Sequence, residues 1–448
     1  MIVNFTESDK LRKKAHALIP GGCHTYAKGD DQYPTLSPSH VVRGQGAHVW
    51  DADGNEYIEY GNGNRAVTLG HAYGPVVKAV KAELARGANF TRPSVIEVEA
   101  AEKFMNVIGA GDMVKFSKDG SDATSAAVKL ARAYTGRDLI AICGDQPFFS
   151  VDDWFIGSTA MYGGIPEVVR KLTVKFRYND VESVKALIAE HPGQIAGFIL
   201  EAERIDPPRD NFLLELQRLV RGAGALLIID EMITGLRWHV KGAQHVHGLD
   251  PDLSTWGKAL ANGFSVSALS GRRDIMRVGD LDQTDHKRVF LMSTTHGGET
   301  HGLAAAIATL DVYHREPVVE RLSQAGERLR VGFQQASAKH GLEKHVSAMG
   351  RACNLLFSTC DQDGKPSQAF RTLFLQETIK RGLIMPSMVV SYSHTDADID
   401  QTIDAVDGAM EIYQRALNDG VEKYLVGRPS QPVYRTYNQS APSSEQRV

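Results

Sequence analysis

The chain has 448 residues, of which 42% are hydrophobic and 23% are charged, and its formal net charge at pH 7 is -4. This balance is ordinary for a globular enzyme, gives no reason to expect a nucleic-acid partner, and leaves room for two domains. There is no apolar run of membrane-spanning length and no secretory core at the start, and the four cysteines lack metal-type spacing. We therefore expect a cytoplasmic protein without a membrane partner.

The first part of the chain predicts an arm followed by a β-hairpin. An amphipathic segment, 11–18, precedes a turn-rich passage, 20–38. Residues 48–60 alternate between apolar and polar around Asp53-Gly54-Asn55, which is the pattern of a hairpin. The glycines in 61–65 lack the third glycine of a dinucleotide-binding loop, so we expect a close-packed turn there.

The middle of the chain alternates short apolar runs with segments of helical spacing. This alternation predicts an α/β fold with a largely parallel sheet that is covered on both faces. The predicted strands are 113–116, 139–143, 172–176, 195–200, 225–229 and 266–269. The predicted helices around them are 75–86, 94–108, 122–135, 181–190, 212–222 and 303–313.

Past residue 310 the pattern predicts a smaller α+β unit. Its strand is expected near 353–357, and its last residues are polar enough to fray. Its predicted helices are 318–340, 367–381 and 396–416.

Lys258 is the first candidate for chemistry, because it stands between Trp256-Gly257 and Ala259-Leu260 and before Asn262-Gly263, which predicts an amine near the end of a strand and under a turn. Burial there would favour the neutral, nucleophilic amine. The alternative is a surface lysine whose stem covers apolar neighbours, which is the commoner arrangement.

Two segments have the composition of phosphate-binding loops. Residues 119–124 lie between a predicted strand and a predicted helix, where Gly120 permits close approach and Ser121 offers a hydroxyl. A simple helix cap by Asp119 or Ser121 explains the same pattern equally well. Residues 293–300 are rich in hydroxyls, and they are either further phosphate donors or a capping loop.

Carboxylates and histidines supply the remaining candidates. Asp230 and Glu231 end an apolar strand, at the edge where open α/β sheets bind ligands. Asp230 is either a solvated strand end or the partner of a cationic ring nitrogen, and its apolar neighbours favour the second. His239, His245 and His247 match no zinc spacing, so we expect no metal.

A phosphate turn, a strand-end aspartate and a lysine further along are together what a pyridoxal phosphate enzyme requires. The chain resembles the class III aminotransferases of the fold type I pyridoxal phosphate superfamily, and most closely the branch that contains glutamate-1-semialdehyde aminomutase. The resemblance covers about residues 19–416. It is carried by Val49-Trp50-Asp51-Ala52-Asp53-Gly54-Asn55, Leu69-Gly70-His71-Ala72, Asp230-Glu231-Met232-Ile233-Thr234-Gly235-Leu236-Arg237, Gly257-Lys258 and Ser393-His394-Thr395-Asp396.

The resemblance implies a role for each matching residue. Lys258 would form the Schiff base with pyridoxal 5'-phosphate and shuttle a proton, and Asp230 would pair with the pyridine nitrogen. Gly120 and Ser121 match the phosphate turn. Phe148 and Met232 would pack on the two faces of the ring. Thr295 would reach the phosphate of the partner subunit, which implies a homodimer with shared active sites.

The resemblance also implies a division of the chain. It predicts an N-terminal arm with part of the small domain in 1–65, a large cofactor-binding domain in 66–312, a C-terminal small domain in 313–425, and a tail in 426–448 whose end is disordered.

Departures from the family pattern concern the substrate. Where an arginine would hold the substrate carboxylate the chain has Lys28, and where an aromatic would line the pocket it has Asn64. Together with Arg65 these residues favour a polar ketone or aldehyde acceptor, with a sugar as one candidate. An intramolecular aminomutase and a cofactor-binding protein without turnover are the alternatives.

Overall fold

The computed structural model describes residues 1–284 and 288–435, so the end of the predicted tail lies outside the described residues. The described residues form thirteen strands: β1 (Val41–Gln45), β2 (His48–Asp51), β3 (Glu56–Glu59), β4 (Met113–Ser117), β5 (Leu139–Cys143), β6 (Thr173–Phe176), β7 (Ile195–Leu200), β8 (Leu226–Asp230), β9 (Leu253–Trp256), β10 (Ser267–Gly271), β11 (Val346–Met349), β12 (Leu356–Thr359) and β13 (Leu383–Ile384).

The same residues form fifteen helical segments: α1 (Thr6–Leu18), α2 (Asn62–Arg65), α3 (Gly74–Leu84), α4 (Val95–Val107), α5 (Gly120–Thr135), α6 (Asp153–Ile156), α7 (Glu167–Arg170), α8 (Val181–Glu190), α9 (Phe212–Gly222), α10 (Gly242–Val246), α11 (Arg273–Met276), α12 (Thr300–Arg315), α13 (Val318–Lys339), α14 (Gln368–Lys380) and α15 (Asp396–Asp419). No helix among the described residues has the length and hydropathy needed to cross a membrane.

A seven-stranded sheet in the order β4-β10-β9-β8-β7-β5-β6 lies at the centre of the chain. Strand β10 runs in the direction opposite to the other six strands, which are parallel to one another. The predicted mostly parallel sheet is therefore confirmed. Every residue of β7, β8, β9 and β10 is buried, as expected for strands covered on both faces by helices.

Strand β9 is an addition to the six strands expected from apolar runs. Its central residues, Ser254 and Thr255, are polar yet buried, and their hydroxyls donate to Gln244 Oε1 at 2.6 Å and to Asp230 Oδ1 at 3.1 Å. A hydroxyl that finds an acceptor can occupy a central strand at little cost. The pattern of apolar residues therefore missed the strand that leads to Lys258.

The hairpin expected in 48–60 is present as β2 and β3, which pair antiparallel. Its loop is closed by Asp51, whose carboxylate accepts N–H bonds from Asp53 and Asn55 at 3.0 and 2.8 Å. Gly54 takes a φ of 83°, which favours glycine. This hairpin belongs to a four-stranded sheet in the order β1-β2-β3-β13.

The last third of the described chain packs α13, α14 and α15 with the two-stranded sheet β11-β12. The strand expected near 353–357 is present as β12, but it begins later, at Leu356. A 3₁₀ turn occupies Ala352–Asn354, closed by the Asn354 N–H bond to Arg351 O at 2.8 Å. The domain boundaries near residues 65, 312 and 425 stay predictions.

Candidate active site

Lys258 opens the turn that directly follows β9. Its φ is 45°, in the left-handed region that costs free energy for a residue with a Cβ. The side chain lies deep in the protein, yet part of its surface remains accessible. Burial lowers the pKa of Lys258, while the carboxylates of Asp230 and Glu201 act in the opposite direction. The surface position that was the main alternative is therefore not observed.

Asp230 lies at the carboxyl end of β8, beside the strand that leads to Lys258. It is only 3% exposed, so it is not a solvated strand end. Its Oδ1 accepts two hydrogen bonds, from the Met232 N–H at 2.9 Å and from Thr255 Oγ1 at 3.1 Å. No donor within the described residues bonds its Oδ2. Burial raises the pKa of Asp230, and the charge of Lys258 lowers it.

Met232 connects the loop after β8 to both glycines of the candidate site. A Cβ on Gly120 would lie 3.0 Å from Met232 Sδ, and a Cβ on Gly257 would lie 2.6 Å from the same atom. The start of α5 and the residue before Lys258 therefore pack on one side chain. These contacts bring Gly120, Met232 and Lys258 into one site, as the sequence predicts.

The turn at the start of α5 is capped by its own carboxylate. Asp119 accepts the N–H bonds of Ser121 and Asp122 at 2.8 and 3.1 Å, so the capping interpretation is correct. Ser121 Oγ accepts from the Val151 N–H at 3.0 Å and keeps its own proton to donate. The helix dipole of this 16-residue helix favours negative charge at the same end.

The loop that carries Phe148 is fastened to α5. Thr124 Oγ1 donates to the carbonyl of Phe149 at 2.8 Å, and Val151 is bonded to Ser121 as above. Phe149 is buried, whereas Phe148 is 42% exposed and meets Phe155 edge-on at a centroid distance of 5.8 Å. Phe148 therefore presents an open aromatic face next to the turn.

Glu201 is a buried carboxylate of the site that sequence reasoning missed. It follows β7, and its N–H and C=O bond the side-chain amide of Gln146 at 2.8 and 2.7 Å. Its Oε2 is buried with no hydrogen-bond partner among the described residues. Burial raises the pKa of Glu201 to about 7, although the charges of Arg204, Lys258 and Arg65 lower it. The available signal was its position directly after an apolar strand, like that of Asp230.

The three candidate substrate residues divide between two places. Lys28 is exposed and, with Asn64, lines a cavity of about 610 Å³ whose lining does not include Lys258. Arg65 instead lies close enough to Lys258 and Glu201 for its charge to lower the pKa of both groups. The structure therefore does not bring Lys28 to Arg65.

Thr295 is exposed and lies away from Lys258 of its own chain. It lines a cavity of about 520 Å³ with Asn89 and Phe90, whose lining includes neither Lys258 nor Asp230. The Asn89 side-chain amide donates to the Thr295 carbonyl at 3.1 Å. A role for Thr295 at the phosphate of a second chain stays a prediction.

The histidines singled out in the sequence serve local packing. The rings of His239 and His245 stack at 4.3 Å, and His247 Nε2 lies 2.8 Å from Glu203 Oε2. Glu231 accepts the N–H bonds of Ala243 and Gln244, at the start of the short helix α10. These groups therefore have partners other than Lys258 and Asp230.

Comparison with known proteins gives a consistent set of similarities. The family described as class III aminotransferases matches residues 27–148 and 150–410. A glutamate-1-semialdehyde 2,1-aminomutase from Acetivibrio thermocellus is 32% identical over 432 residues, which cover 90% of this chain and 97% of that protein.

Two solved structures have the same fold, and their sequence identity to this chain is lower than that of the aminomutase. The PLP internal aldimine form of the FumI protein of Sphingopyxis sp. MTA144 has a TM-score of 0.83 at 30% identity, covering 92% of this chain and 98% of that one. A transaminase with PLP bound has a TM-score of 0.84 at 26% identity, covering 93% and 100%.

Proposed function

The chain belongs to the class III aminotransferase family, whose members use pyridoxal phosphate, and from this we propose that it transfers an amino group from an amino-acid donor to a polar ketone or aldehyde acceptor through Lys258. The observation that carries the proposal is the meeting of Lys258, Asp230 and the Gly120–Ser121 turn around Met232. Two copies of the chain are proposed to share their sites through Thr295.

The residues around Lys258 fit this cofactor. Asp230 has one carboxylate oxygen anchored by two donors and the other free to accept from a protonated ring nitrogen. Ser121 Oγ and the N-terminus of α5 suit a phosphate. Phe148 offers an aromatic face and Met232 an apolar one. These features support Lys258, Asp230, Gly120, Ser121, Phe148 and Met232 as the cofactor-binding set.

Bound pyridoxal phosphate supplies a carbonyl carbon that condenses with amines and a ring that withdraws electrons from the substrate carbon. Burial lowers the pKa of Lys258 and so favours the neutral, nucleophilic amine over the ammonium. Lys258 is then available to take a proton from the substrate α-carbon and return it elsewhere. Asp230 supplies the negative charge that holds a proton on the ring nitrogen.

The acceptor is proposed from the residues on either side of the Asn62–Arg65 turn. Asn64 and Lys28 contribute an amide and an ammonium group to the lining of one cavity, so a ketone or aldehyde with hydroxyl groups suits these two residues, and a sugar is one candidate. Hydroxyls can bond both an amide and an ammonium group.

The second candidate is an intramolecular aminomutase of the glutamate-1-semialdehyde type. It is favoured by the 32% identity to an enzyme of that name, and it would use the same cofactor-binding residues. The two candidates differ only in whether the donor product leaves the site.

A single-turnover experiment separates the two. The holoenzyme is mixed with amino acids one at a time, without an acceptor, and release of the keto acid is measured. We expect one equivalent per site from at least one donor. No release from any donor, together with isomerisation of an amino aldehyde, would establish the aminomutase instead.

A further inference from the structure

We infer that Arg65 binds the carboxylate of the amino-acid donor, a role that the resemblance to the family would have given to the position of Lys28. The inference rests on the proposed aminotransferase function. It assigns Arg65 as a specificity-determining residue for carboxylate-bearing donors, with Arg204 as a second cation nearby.

The first step is the position of Arg65. The segment that follows it is bonded to the loop after Lys258, since the Leu69 N–H donates to Asn262 Oδ1 at 2.8 Å and Asn262 Nδ2 donates to Gly70 O at 3.0 Å. The charge of Arg65 also acts on both Lys258 and Glu201. The turn Asn62–Arg65 also contacts the turn Lys258–Ala261, so Arg65 lies near the reactive amine.

The second step is the state of its guanidinium. Arg65 Nε donates to Asn354 Oδ1 at 2.8 Å, and Asn354 is itself buried. Within residues 1–284 and 288–435, no carboxylate forms an ion pair with Arg65 and no acceptor bonds its two terminal nitrogens. The side chain remains partly accessible although it lies deep in the protein. The bond from Nε to Asn354 therefore orients the guanidinium group, and its two terminal nitrogens are left to donate to a ligand.

The third step is the charge around it. Arg204 and Arg237 are the cations that act on Arg65, and Glu201 is the carboxylate that opposes them. Arg237 is already bonded to the carbonyls of Ile233 and Arg65 and to Thr68 Oγ1. Glu201 is a weak counterion, because burial raises its pKa to about 7. An anionic ligand would relieve this excess of positive charge.

The fourth step is the backbone that places Arg65. Asn62, Asn64 and Arg65 have φ values of 46°, 58° and 71°, so α2 is a left-handed turn, which is unfavourable for residues with a Cβ. The turn is held by Asn62, whose N–H donates to Glu59 Oε2 and whose side-chain amide donates to Val389 O. Such strain persists where the surrounding structure requires the position.

A carboxylate is the anion that this arrangement suits. Two parallel N–H groups of an arginine match its two oxygens, and every α-amino acid carries that group beside the amine that reacts. The donor also meets the site before any acceptor does. If the acceptor carries a carboxylate, that carboxylate is the other group that Arg65 could bind in the same way.

The test compares Arg65→Ala and Arg65→Lys with wild type in the donor half-reaction, so that no acceptor is present. Each holoenzyme receives the best amino-acid donor and the amine that lacks its carboxylate. We expect Arg65→Ala to lower kcat/KM for the amino acid by about tenfold to a hundredfold, the effect of losing a charged hydrogen bond, and to leave the amine unchanged. Arg65→Lys should give an intermediate loss. The matched control is Arg218→Ala, which removes an exposed arginine paired with Glu215.

A second measurement does not depend on turnover. Propionate is titrated calorimetrically into each holoenzyme, and we expect its Kd to rise by at least about tenfold in Arg65→Ala and to stay unchanged in Arg218→Ala. Equal losses for the amino acid and the amine, or unchanged propionate binding, would overturn the inference. If wild type releases no keto acid from any donor, the proposed function fails, whereas the propionate titration still decides the role of Arg65.

Discussion

Two buried carboxylates act on Lys258, and they differ in how their oxygens are satisfied. Asp230 has two donors on Oδ1, whereas Oε2 of Glu201 has no partner among the described residues. A buried carboxylate with few donors holds its proton more tightly. We therefore expect Asp230 to serve as the fixed charge of the site and Glu201 to titrate near neutral pH.

Replacement of Lys258 by alanine tests the centre of the site. The Lys258→Ala variant should lose at least about 10²- to 10⁴-fold in amino transfer, because the proton carrier is gone, and should lose the absorbance of the covalently held cofactor. Lys185→Ala, which removes an exposed lysine paired with Glu182, is the control. A Lys258→Ala enzyme that turned over normally would exclude the proposed function.

Glu201→Gln should change how stability depends on pH. Because the pKa of Glu201 is about 7 in the folded protein against an ordinary 4.5, its contribution is full below pH 4.5 and is lost as the pH rises to 7. The glutamine variant does not titrate and so lacks this loss. The free energy of unfolding of the variant minus that of wild type should therefore be larger at pH 8 than at pH 5, by on the order of 1–3 kcal/mol. Thermal unfolding of the cofactor-free protein at the two pH values measures the difference. An equal effect at both, as expected for exposed Glu182→Gln, would contradict the assignment.

Three connections meet at the centre of the site: the start of α5, the loop after β8 and the turn after β9. Their contact is close because Gly120 and Gly257 leave room for Met232. Each connection follows a strand of the same sheet, and the carboxyl ends of parallel strands lie at one edge. The site is therefore a property of how β4, β9 and β8 are placed in one sheet, with β10 between β4 and β9.

Gly257→Ala tests this packing. The new Cβ would lie 2.6 Å from both Met232 Sδ and Ser267 Oγ, so the loop must shift, at a cost of about 1–3 kcal/mol. Weaker cofactor binding should accompany the loss, since Lys258 is the next residue. Gly222→Ala at the end of α9 is the matched control, because its Cβ would meet nothing within 4 Å. Urea unfolding and cofactor titration should separate the two variants, and identical behaviour would refute the packing argument.

On the scale of the whole molecule, the surface around Thr295 suits a second copy of the chain. Phe90 shares a cavity with Thr295 and is 51% exposed, and Val95 and Val98 of the adjoining helix are 70% and 61% exposed. Neighbouring exposed apolar side chains of this kind are typical of protein interfaces. The proposed homodimer would cover them and bring Thr295 to the partner's site.

Phe90→Asp should therefore weaken both assembly and cofactor binding. A buried charge without a partner destabilises an interface, so we expect the variant to have the mass of a single chain by light scattering and a lower affinity for pyridoxal phosphate. Val331→Asp changes an exposed apolar residue on α13 and is the control. A Phe90→Asp protein that stayed dimeric would place the interface elsewhere.

The sequence by itself determined the alternation of strands and helices, and its resemblance to the family singled out Lys258, Asp230, Gly120 and Met232 as candidate site residues, because apolar periodicity and short motifs are local properties of a chain. It predicted that Lys258 lies near a strand end but did not give the bounds of β9, whose buried hydroxyls depend on acceptors from other elements.

Only the tertiary structure decided the environment of the site. Glu201 is distant from Lys258 along the chain, and its altered pKa arises from burial. Lys28 and Arg65 both carry positive charge, yet only the left-handed turn at α2 brings Arg65 near Lys258. The burial of a side chain and the charges near it depend on contributions from elements that are far apart in the chain. No local pattern of residues therefore encodes them.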